Sequence, residues 1–263
     1  MKRTVLSCLL TLAAVASALP LGAAAQDPQV IRFGVDPSYP PMESKAPDGS
    51  LQGFDIELGN AICATLHQKC VWVEQNFDGM IPALKARKFD AILSAMSATE
   101  SRRQQIDFTN RVYNSPSALI ARAGSKLKPT AQDLQGKSVG VVQGSTQEAY
   151  ARAEWAPHGV AIVAYQTQDQ IYQDLGTGRL DAAFQAAMQA DYGFLKTPRG
   201  KGYAVAGETV KDARLTGNGV AIGIRKGDAA LEARINDAIG TMRKNGTYQQ
   251  IAAKYFQFDI YGD

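Results

Sequence analysis

The chain has 263 residues, with 28 Lys and Arg against 25 Asp and Glu, and 45% of its residues are hydrophobic. A charge so close to neutral gives no support for nucleic-acid binding, and the length is sufficient for two lobes that each bury a core. After the first 25 residues, no apolar run approaches the length that a membrane span needs.

Residues 1–25 have the features of a secretory signal peptide. Lys2 and Arg3 precede an apolar run over residues 5–19, and the three alanines that end at Ala25 fit an A-x-A cleavage site. We therefore expect an exported protein. Loss of Lys2 and Arg3 from the 28 basic residues leaves 26, against 25 acidic ones.

Two cysteines, Cys63 and Cys70, remain in the exported part. Because export places them in an oxidising compartment, we expect a disulfide, which would tie a helix end to the next strand. The two histidines, His67 and His158, have no cysteine or carboxylate partners at ligand spacing. We expect neither a metal site nor a cofactor.

Strand and helix patterns alternate along the first half of the chain. Alternating apolar residues predict strands over 30–35 and 70–74. Helical periodicity predicts a helix that begins near Phe54 and another that follows Phe77, with Asp78 as its N-cap.

The stretch 89–102 predicts a buried strand that leads into a helix. It ends in small hydroxyl residues and then Arg102, with Thr99 as a helix N-cap. Small residues at the carboxyl end of a strand allow a ligand to approach the backbone, and a guanidinium binds a carboxylate through two parallel hydrogen bonds. The stretch therefore indicates a carboxylate site, although a polar turn with a solvated arginine would have the same sequence.

The second half contains a similar combination. A predicted strand over 138–142 runs into a turn with glycine and hydroxyl residues, in which Ser145 and Glu148 have the spacing of a capping box. This turn is a second candidate anion cradle.

A weak internal repeat supports two similarly built lobes. In each copy a predicted helix is followed directly by a predicted strand. The first copy is Leu84, Lys88, Phe89, Asp90 and Ala91, and the second is Leu175, Arg179, Leu180, Asp181 and Ala182. Alternating strands and helices predict α/β lobes with mainly parallel sheets and a ligand site beyond the strands' carboxyl ends. We expect a first lobe over 26–115, a second lobe over 116–216 and a return to the first lobe over 217–263.

Six motifs occur in order along the mature chain, namely 53–58, the Cys63 and Cys70 pair, 77–82, 143–147, 178–182 and 254–259. Together they resemble the periplasmic polar amino acid binding proteins of bacterial ABC importers, most closely the branch for lysine, arginine, ornithine or histidine. The resemblance implies a type II periplasmic binding protein fold with a two-strand hinge. It also implies a periplasmic monomer that delivers its ligand to a membrane permease and is not an enzyme.

The resemblance further implies which residues hold the ligand. Arg102 and Ser97 would bind the α-carboxylate, Tyr39 and Phe77 would enclose the aliphatic stem, and Asp36 would pair with the distal cation. Without the resemblance, the two aromatic residues would be core residues and the aspartate a turn residue. The full expected set is Asp36, Tyr39, Phe77, Ser94, Ala95, Ser97, Arg102, Val142, Ser145, Thr146, Gln147 and Ala186.

Two positions depart from the pattern of that branch. Ala95 stands where a ligand-contacting serine is common, which removes a hydrogen bond worth about 1 kcal/mol. Ala186 stands where the branch has an aspartate for the α-ammonium, and a desolvated ammonium without a carboxylate is costly. Either the ligand lacks a free primary α-amine, as in a guanidino acid, an ω-amino acid or an opine, or a basic amino acid finds a carbonyl, a water molecule or Asp191 instead.

An exported dehydratase-type enzyme on the same fold is an alternative from a different class. Such an enzyme needs a proton donor or base in the cleft, and the acids expected there, Asp36 and Glu43, have no histidine or lysine partner at recognisable spacing. The sensor module of a membrane receptor would require a membrane span after the domain. A solute receptor is the better interpretation.

Overall fold

The computed structural model describes residues 30–210 and 212–262. The predicted signal peptide, residues 1–25, lies outside this part. The strands are β1 (Val30–Val35), β2 (Ser38–Tyr39), β3 (Glu43–Lys45), β4 (Leu51–Gln52), β5 (Lys69–Glu74), β6 (Ala91–Ile92), β7 (Asp107–Tyr113), β8 (Ser117–Arg122), β9 (Ser138–Val142), β10 (Ala161–Tyr165), β11 (Ala182–Ala186), β12 (Tyr203–Val205) and β13 (Val220–Ile224).

The helices lie between these strands and at the carboxyl-terminal end. They are α1 (Phe54–Thr65), α2 (Met80–Lys85), α3 (Glu100–Arg103), α4 (Ala131–Leu134), α5 (Thr146–Glu154), α6 (Gln168–Thr177), α7 (Ala187–Ala190), α8 (Ala213–Thr216), α9 (Ala229–Lys244) and α10 (Thr247–Tyr255). Among the described residues, none of the helices combines the length and the apolar character needed to cross a bilayer.

Two five-stranded sheets organise the described residues. The first has the order β5-β1-β6-β13-β7 and the second the order β10-β9-β11-β8-β12. In the first sheet β13 runs against its neighbours, and in the second sheet β8 does so, while the other strands run in one direction. The predicted α/β class with mainly parallel sheets is confirmed.

The chain crosses between the two sheets twice. It leaves the first sheet after Tyr113 and enters the second at Ser117, and it returns between Val205 and Val220. We retain the lobe boundaries near 116 and 217 as a proposal.

Each half has its own aromatic core. In the first half, α1 carries Phe54 into the core, where its ring meets Tyr113 and Phe256 edge to face at 5.6 and 5.8 Å. In the second half, Trp155 packs on Phe184 with ring centroids 4.6 Å apart. Each such ring contributes about 2 to 3 kcal/mol through burial, so either half contains a substantial core.

The internal repeat has a structural reason. Asp90, at the start of β6, accepts a hydrogen bond from the backbone N–H of Arg32 on the parallel strand β1 at 3.0 Å. Asp181, just before β11, accepts one from the N–H of Ser138 on β9 at 2.8 Å. The same residue type in both halves therefore ties a central strand to its parallel neighbour.

The expected disulfide is present. Cys63 on α1 bonds to Cys70 on β5, so the bridge joins a helix end to the following strand as predicted.

Two local predictions were wrong or incomplete. Asp78 caps no helix, because a 3-10 turn over Phe77–Gly79 already precedes α2, which begins with Gly79 in the N-cap position and without a side-chain cap. The strand predicted before Ser94 contains only Ala91–Ile92, since the chain leaves the sheet early to line a cavity.

Candidate ligand-binding site

A cavity lies between the two halves, and all twelve residues expected to bind ligand line it. The first half contributes Asp36, Tyr39, Phe77, Ser94, Ala95, Ser97 and Arg102, and the second half contributes Val142, Ser145, Thr146, Gln147 and Ala186. The structure thus brings the whole set together.

The strand ends explain this convergence. Asp36 directly follows β1, and Ser94 lies two residues after β6. Val142 ends β9 and Ala186 ends β11. The carboxyl ends of parallel strands face one edge of a sheet, so residues distant in sequence meet at one site.

Arg102 is a buried cation that has no acidic partner among the residues that the structure describes. Its Nη1 donates to the Ser97 carbonyl at 3.0 Å, and its Nη2 donates to the Gly144 carbonyl of the other half at 3.1 Å. Its Cζ lies 5.3 Å from the centroid of the Phe77 ring, so this ring faces the arginine. Burial lowers the pKa of Arg102 to about 10, which still leaves it charged at neutral pH. Such a group is a suitable partner for an anion.

Asp36 is an acid that lines the same cavity. It accepts hydrogen bonds from the Ser38 hydroxyl at 2.7 Å and from the Phe77 N–H at 2.9 Å. Burial raises the pKa of this carboxyl above its usual value.

A second acid, Glu43, lies beside Asp36 and is only 1% exposed. The Ser94 hydroxyl donates to Glu43 Oε1 at 2.9 Å and accepts from the Asp36 N–H at 3.0 Å. Behind Glu43, the fully buried Asp55 accepts from the Ala95 N–H at 2.9 Å and from the Tyr113 hydroxyl at 3.3 Å. Glu43 was expected in the cleft, whereas Asp55 was missed because nothing in its helical pattern marks it as buried.

Glu43 and Asp55 form a carboxyl pair. One oxygen of each, Glu43 Oε2 and Asp55 Oδ1, has no other hydrogen-bond partner, and the two groups are in hydrogen-bonding contact. Burial raises the pKa of Asp55 to about 6, and burial together with the neighbouring Asp55 raises the pKa of Glu43 well above its usual value. We infer that the pair shares a proton at neutral pH, because two adjacent buried carboxylates would repel each other.

Ala95 has a left-handed backbone, with φ of 48°. This conformation is unusual for a residue with a Cβ and turns the chain sharply at the strand end. Since its N–H donates to Asp55, that amide is directed away from a ligand.

The turn before α5 differs from a complete capping box. The Ser145 hydroxyl accepts from the Glu148 N–H at 3.0 Å, as predicted, but the Glu148 carboxylate accepts from the Gly144 N–H at 2.7 Å. The Glu148 carboxylate does not accept from the Ser145 N–H, as it would in a complete capping box, because that N–H already donates to the Val142 carbonyl. The glutamate therefore fills part of the predicted anion cradle, and Thr146 is the first residue of α5 that faces the cavity.

Ala186 supplies no carboxylate, and the acids among the described cavity residues are Asp36 and Glu43 of the first half. Asp191 pairs with Lys196 at 2.7 Å, and its side chain is 44% exposed outside the cavity, so it does not take the place of the missing aspartate. The Tyr39 phenol lies close to the Ala186 backbone across the cleft.

The sequence analysis missed three buried glutamines near Ala186. Gln168, Gln185 and Gln189 all line the cavity and are at most 2% exposed. No periodic pattern distinguishes them from surface glutamines, so sequence alone offered little signal.

Within residues 30–210 and 212–262, no group of three or more His, Cys, Asp and Glu side chains could hold a metal ion. Both histidines lie away from the cavity lining.

Two α/β halves that enclose a polar cavity at their strand ends define a ligand-binding protein of the two-lobe class. The chain belongs to the bacterial extracellular solute-binding proteins, family 3, which it matches over residues 31–258. This confirms the family and the fold that the sequence motifs indicated.

Individual relatives agree with this assignment. The chain is 50% identical to the lysine/arginine/ornithine-binding periplasmic protein of Escherichia coli, covering 90% of this chain and 91% of that protein. It is 48% identical to the histidine-binding periplasmic protein of the same organism, with full coverage of both. An ancestral arginine-binding protein bound to arginine matches with a TM-score of 0.80 and 33% identity, over 87% of this chain and 98% of that one.

Proposed function

We propose that this protein is the non-catalytic solute receptor of an ABC importer. In this proposal, it is exported with cleavage near Ala25, acts as a periplasmic monomer and delivers its ligand to a membrane permease. Family membership and the printed names of the relatives, which are periplasmic binding proteins, support the proposal.

The proposed ligand is an amino acid with a cationic side chain, of the arginine, lysine, ornithine or histidine type. The observation that carries this proposal is that one cavity is lined both by a cation, Arg102, which has no acidic partner among the described residues, and by an acid, Asp36. A carboxylate on Arg102 and a side-chain cation on Asp36 would neutralise both buried groups. Tyr39 and Phe77 would enclose the stem between them.

Thermal-shift measurements on the mature protein test this proposal. L-arginine, L-lysine, L-ornithine and L-histidine are compared with L-glutamine and L-glutamate as neutral and acidic controls. A ligand at 100 times its dissociation constant should stabilise the protein by about 2.7 kcal/mol. A shift with either control, and none with any basic amino acid, would disprove the assignment.

Ala186 supports a second candidate ligand class. If no acid pairs with the α-ammonium, a free amino acid pays the desolvation free energy of that ammonium without compensation when it enters the cavity. This cost is smaller for a guanidino acid, an ω-amino acid or an opine, because none of these has a free primary α-amine. Calorimetric titration with L-arginine and 4-guanidinobutyrate separates the two classes, because these ligands differ in the α-amine. Much tighter binding of L-arginine would exclude the class without an α-amine.

The same samples test for catalysis. The proposal predicts that ligand incubated with the protein for hours is recovered unchanged, whereas a dehydratase would deplete it.

A further inference from the structure

Three acidic residues of the first half are linked in series at the cavity. The Asp36 N–H donates to the Ser94 hydroxyl oxygen at 3.0 Å, and that hydroxyl donates to Glu43 Oε1 at 2.9 Å. Glu43 in turn contacts the carboxyl group of Asp55. Asp36 and Glu43 line the cavity, whereas Asp55 does not. The charge of the Glu43 and Asp55 pair therefore belongs to the wall of the cavity and to the layer behind it.

No basic side chain neutralises these three acids. The ion pairs among the described residues include none with any of them. The other titratable groups that face Glu43 are two phenols, Tyr39 on β2 and Tyr113 on β7, and burial raises the pKa of both, so they stay neutral. The basic residue of the described cavity lining, Arg102, bonds to backbone carbonyls.

The charge of the pair changes between acid and neutral pH. Because burial raises the pKa of Asp55 to about 6, the pair carries one negative charge at neutral pH and none well below pH 6. Inside the protein, where water screens it poorly, this charge acts on a ligand in the cavity without touching it. A cation should therefore bind more tightly to the charged pair, and by reciprocity a bound cation should lower the pKa of the pair.

We propose that Glu43, together with Asp55, is a second determinant of the charge that the cavity selects, and that a cationic ligand binds the charged form of this pair in preference to its neutral form. This inference rests on the proposed function and adds a residue to its site. Where the pair is neutral before binding, one proton passes from it to the solvent as the ligand binds. Asp36 would pair with the ligand cation directly, whereas Glu43 acts through the charge that it holds with Asp55.

Calorimetric titration of the mature protein with L-arginine and L-lysine between pH 5 and pH 8 tests the proposal. A cation that lowers the pKa of the pair from about 6 to about 5 should gain affinity about fivefold over this range. At pH 6, titration in two buffers of different ionisation enthalpy should show release of about half a proton per ligand. The affinity for L-citrulline, whose side chain is a neutral analogue of that of arginine, should not rise in this way.

The double variant Glu43→Gln/Asp55→Asn removes both titrating carboxyl groups and keeps the shapes of the side chains. It should bind the two basic amino acids about tenfold more weakly than the parent at pH 8 and within about twofold of the parent at pH 5. Any part of the pH dependence that comes from Asp36 remains in the variant. Glu74→Gln, at the exposed ion pair with Lys45, is the matched control and should keep the pH profile of the parent.

The outcomes separate this inference from the proposed function. Equal proton release by the parent and the double variant would overturn the inference and leave the proposed function standing. A parallel pH dependence for L-citrulline would also overturn it, because the pair would then act on the fold rather than on the charge of the ligand. If neither basic amino acid binds, the inference fails together with the proposed ligand.

A measurement on the parent protein decides if the double variant fails to fold. The carboxyl ¹³C chemical shifts of Glu43 and Asp55 are followed against pH with and without L-arginine. We expect the ligand to lower the titration midpoint of the pair by about one pH unit. An unchanged midpoint would overturn the inference.

Discussion

Arg102 illustrates how single residues determine this site. Its guanidinium is buried, bonds only to backbone carbonyls among the described residues, and joins the two halves through Gly144. A buried cation without a counter-ion raises the free energy of the empty protein, and an anionic ligand group removes that penalty. The residue therefore links ligand binding to the approach of the two halves.

We predict that Arg102→Met weakens ligand binding by several kcal/mol while the fold persists, because a ligand carboxylate would lose the one basic side chain among the described cavity residues. Calorimetry with the ligand identified by thermal shift measures the loss. The matched control is Arg103→Met, since the neighbouring guanidinium lies over Phe108 rather than in the cavity. Equal affinity of Arg102→Met and the parent would place the carboxylate site elsewhere.

A second residue-scale prediction concerns Glu43 and Asp55. Their pKa values are higher in the folded protein than the ordinary values of 4.5 and 3.8, so the folded state binds the shared proton more tightly than the unfolded state does. Their contribution to the free energy of unfolding is therefore largest below about pH 4 and falls as the pH rises through about 6.

Glu43→Gln, which stays neutral and can still donate to Asp55, should remove this dependence. We expect the free energy of unfolding of the variant minus that of the parent to rise by about 2 kcal/mol between pH 5 and pH 8. Urea unfolding at both pH values measures the difference, and Glu74→Gln at the exposed pair with Lys45 is the control. A relative stability that is the same at both pH values would contradict the shared proton.

At the scale of elements, the segment after β11 approaches the backbone of the other half closely. A π-helical turn, Asp191–Leu195, follows α7 and packs against the loop after β2. A Cβ at Gly193 would lie 2.4 Å from the Pro40 carbonyl oxygen, so this glycine allows the approach.

We predict that Gly193→Ala lowers ligand affinity about tenfold or more, because an added methyl prevents this approach while the helical backbone tolerates alanine. Calorimetric titration measures the affinity. Gly176→Ala on α6 is the matched control, since nothing lies within 4 Å of its Cβ position, and it should keep the parent affinity. Unchanged binding by Gly193→Ala would mean that the ligand-bound form does not need this contact.

At the scale of the whole molecule, the two halves also touch through residues that do not line the cavity. The Asn76 amide donates to Gln166 Oε1 at 3.1 Å, and both residues are on the surface. This contact exists only while the halves are together, so charges placed there will bias closure.

We expect the like-charged double variant Asn76→Asp/Gln166→Glu to bind ligand up to about fivefold more weakly than the parent in low salt. The opposite-charge variant Asn76→Asp/Gln166→Lys should bind more tightly by a similar factor. Both differences should shrink in 0.5 M NaCl, because salt screens exposed charges. Titrations in both salt conditions provide the measurement, and equal affinities for the two variants would show that this contact does not report closure.

Sequence alone determined the architecture and part of the cavity lining. The local signals are the alternating strand and helix patterns, the Asp90 and Asp181 repeat, and the glycine and hydroxyl residues at strand ends. In a parallel α/β sheet the carboxyl ends of the strands meet at one edge, so residues that follow them form one site there. Arg102 could be identified for the same reason, since it follows such a signal, whereas Asp36, Tyr39 and Phe77 were assigned to the site only through the resemblance to the family.

Only the tertiary structure decided what each group in the cavity contacts. Three features depend on residues from separate elements. They are the burial of Asp55 behind Glu43, the hydrogen bond from the Gly144 N–H to Glu148, and the hydrogen-bonded glutamines beside Ala186. Hydrogen bonding and desolvation are properties of these long-range neighbours, and a local pattern in the sequence does not contain them.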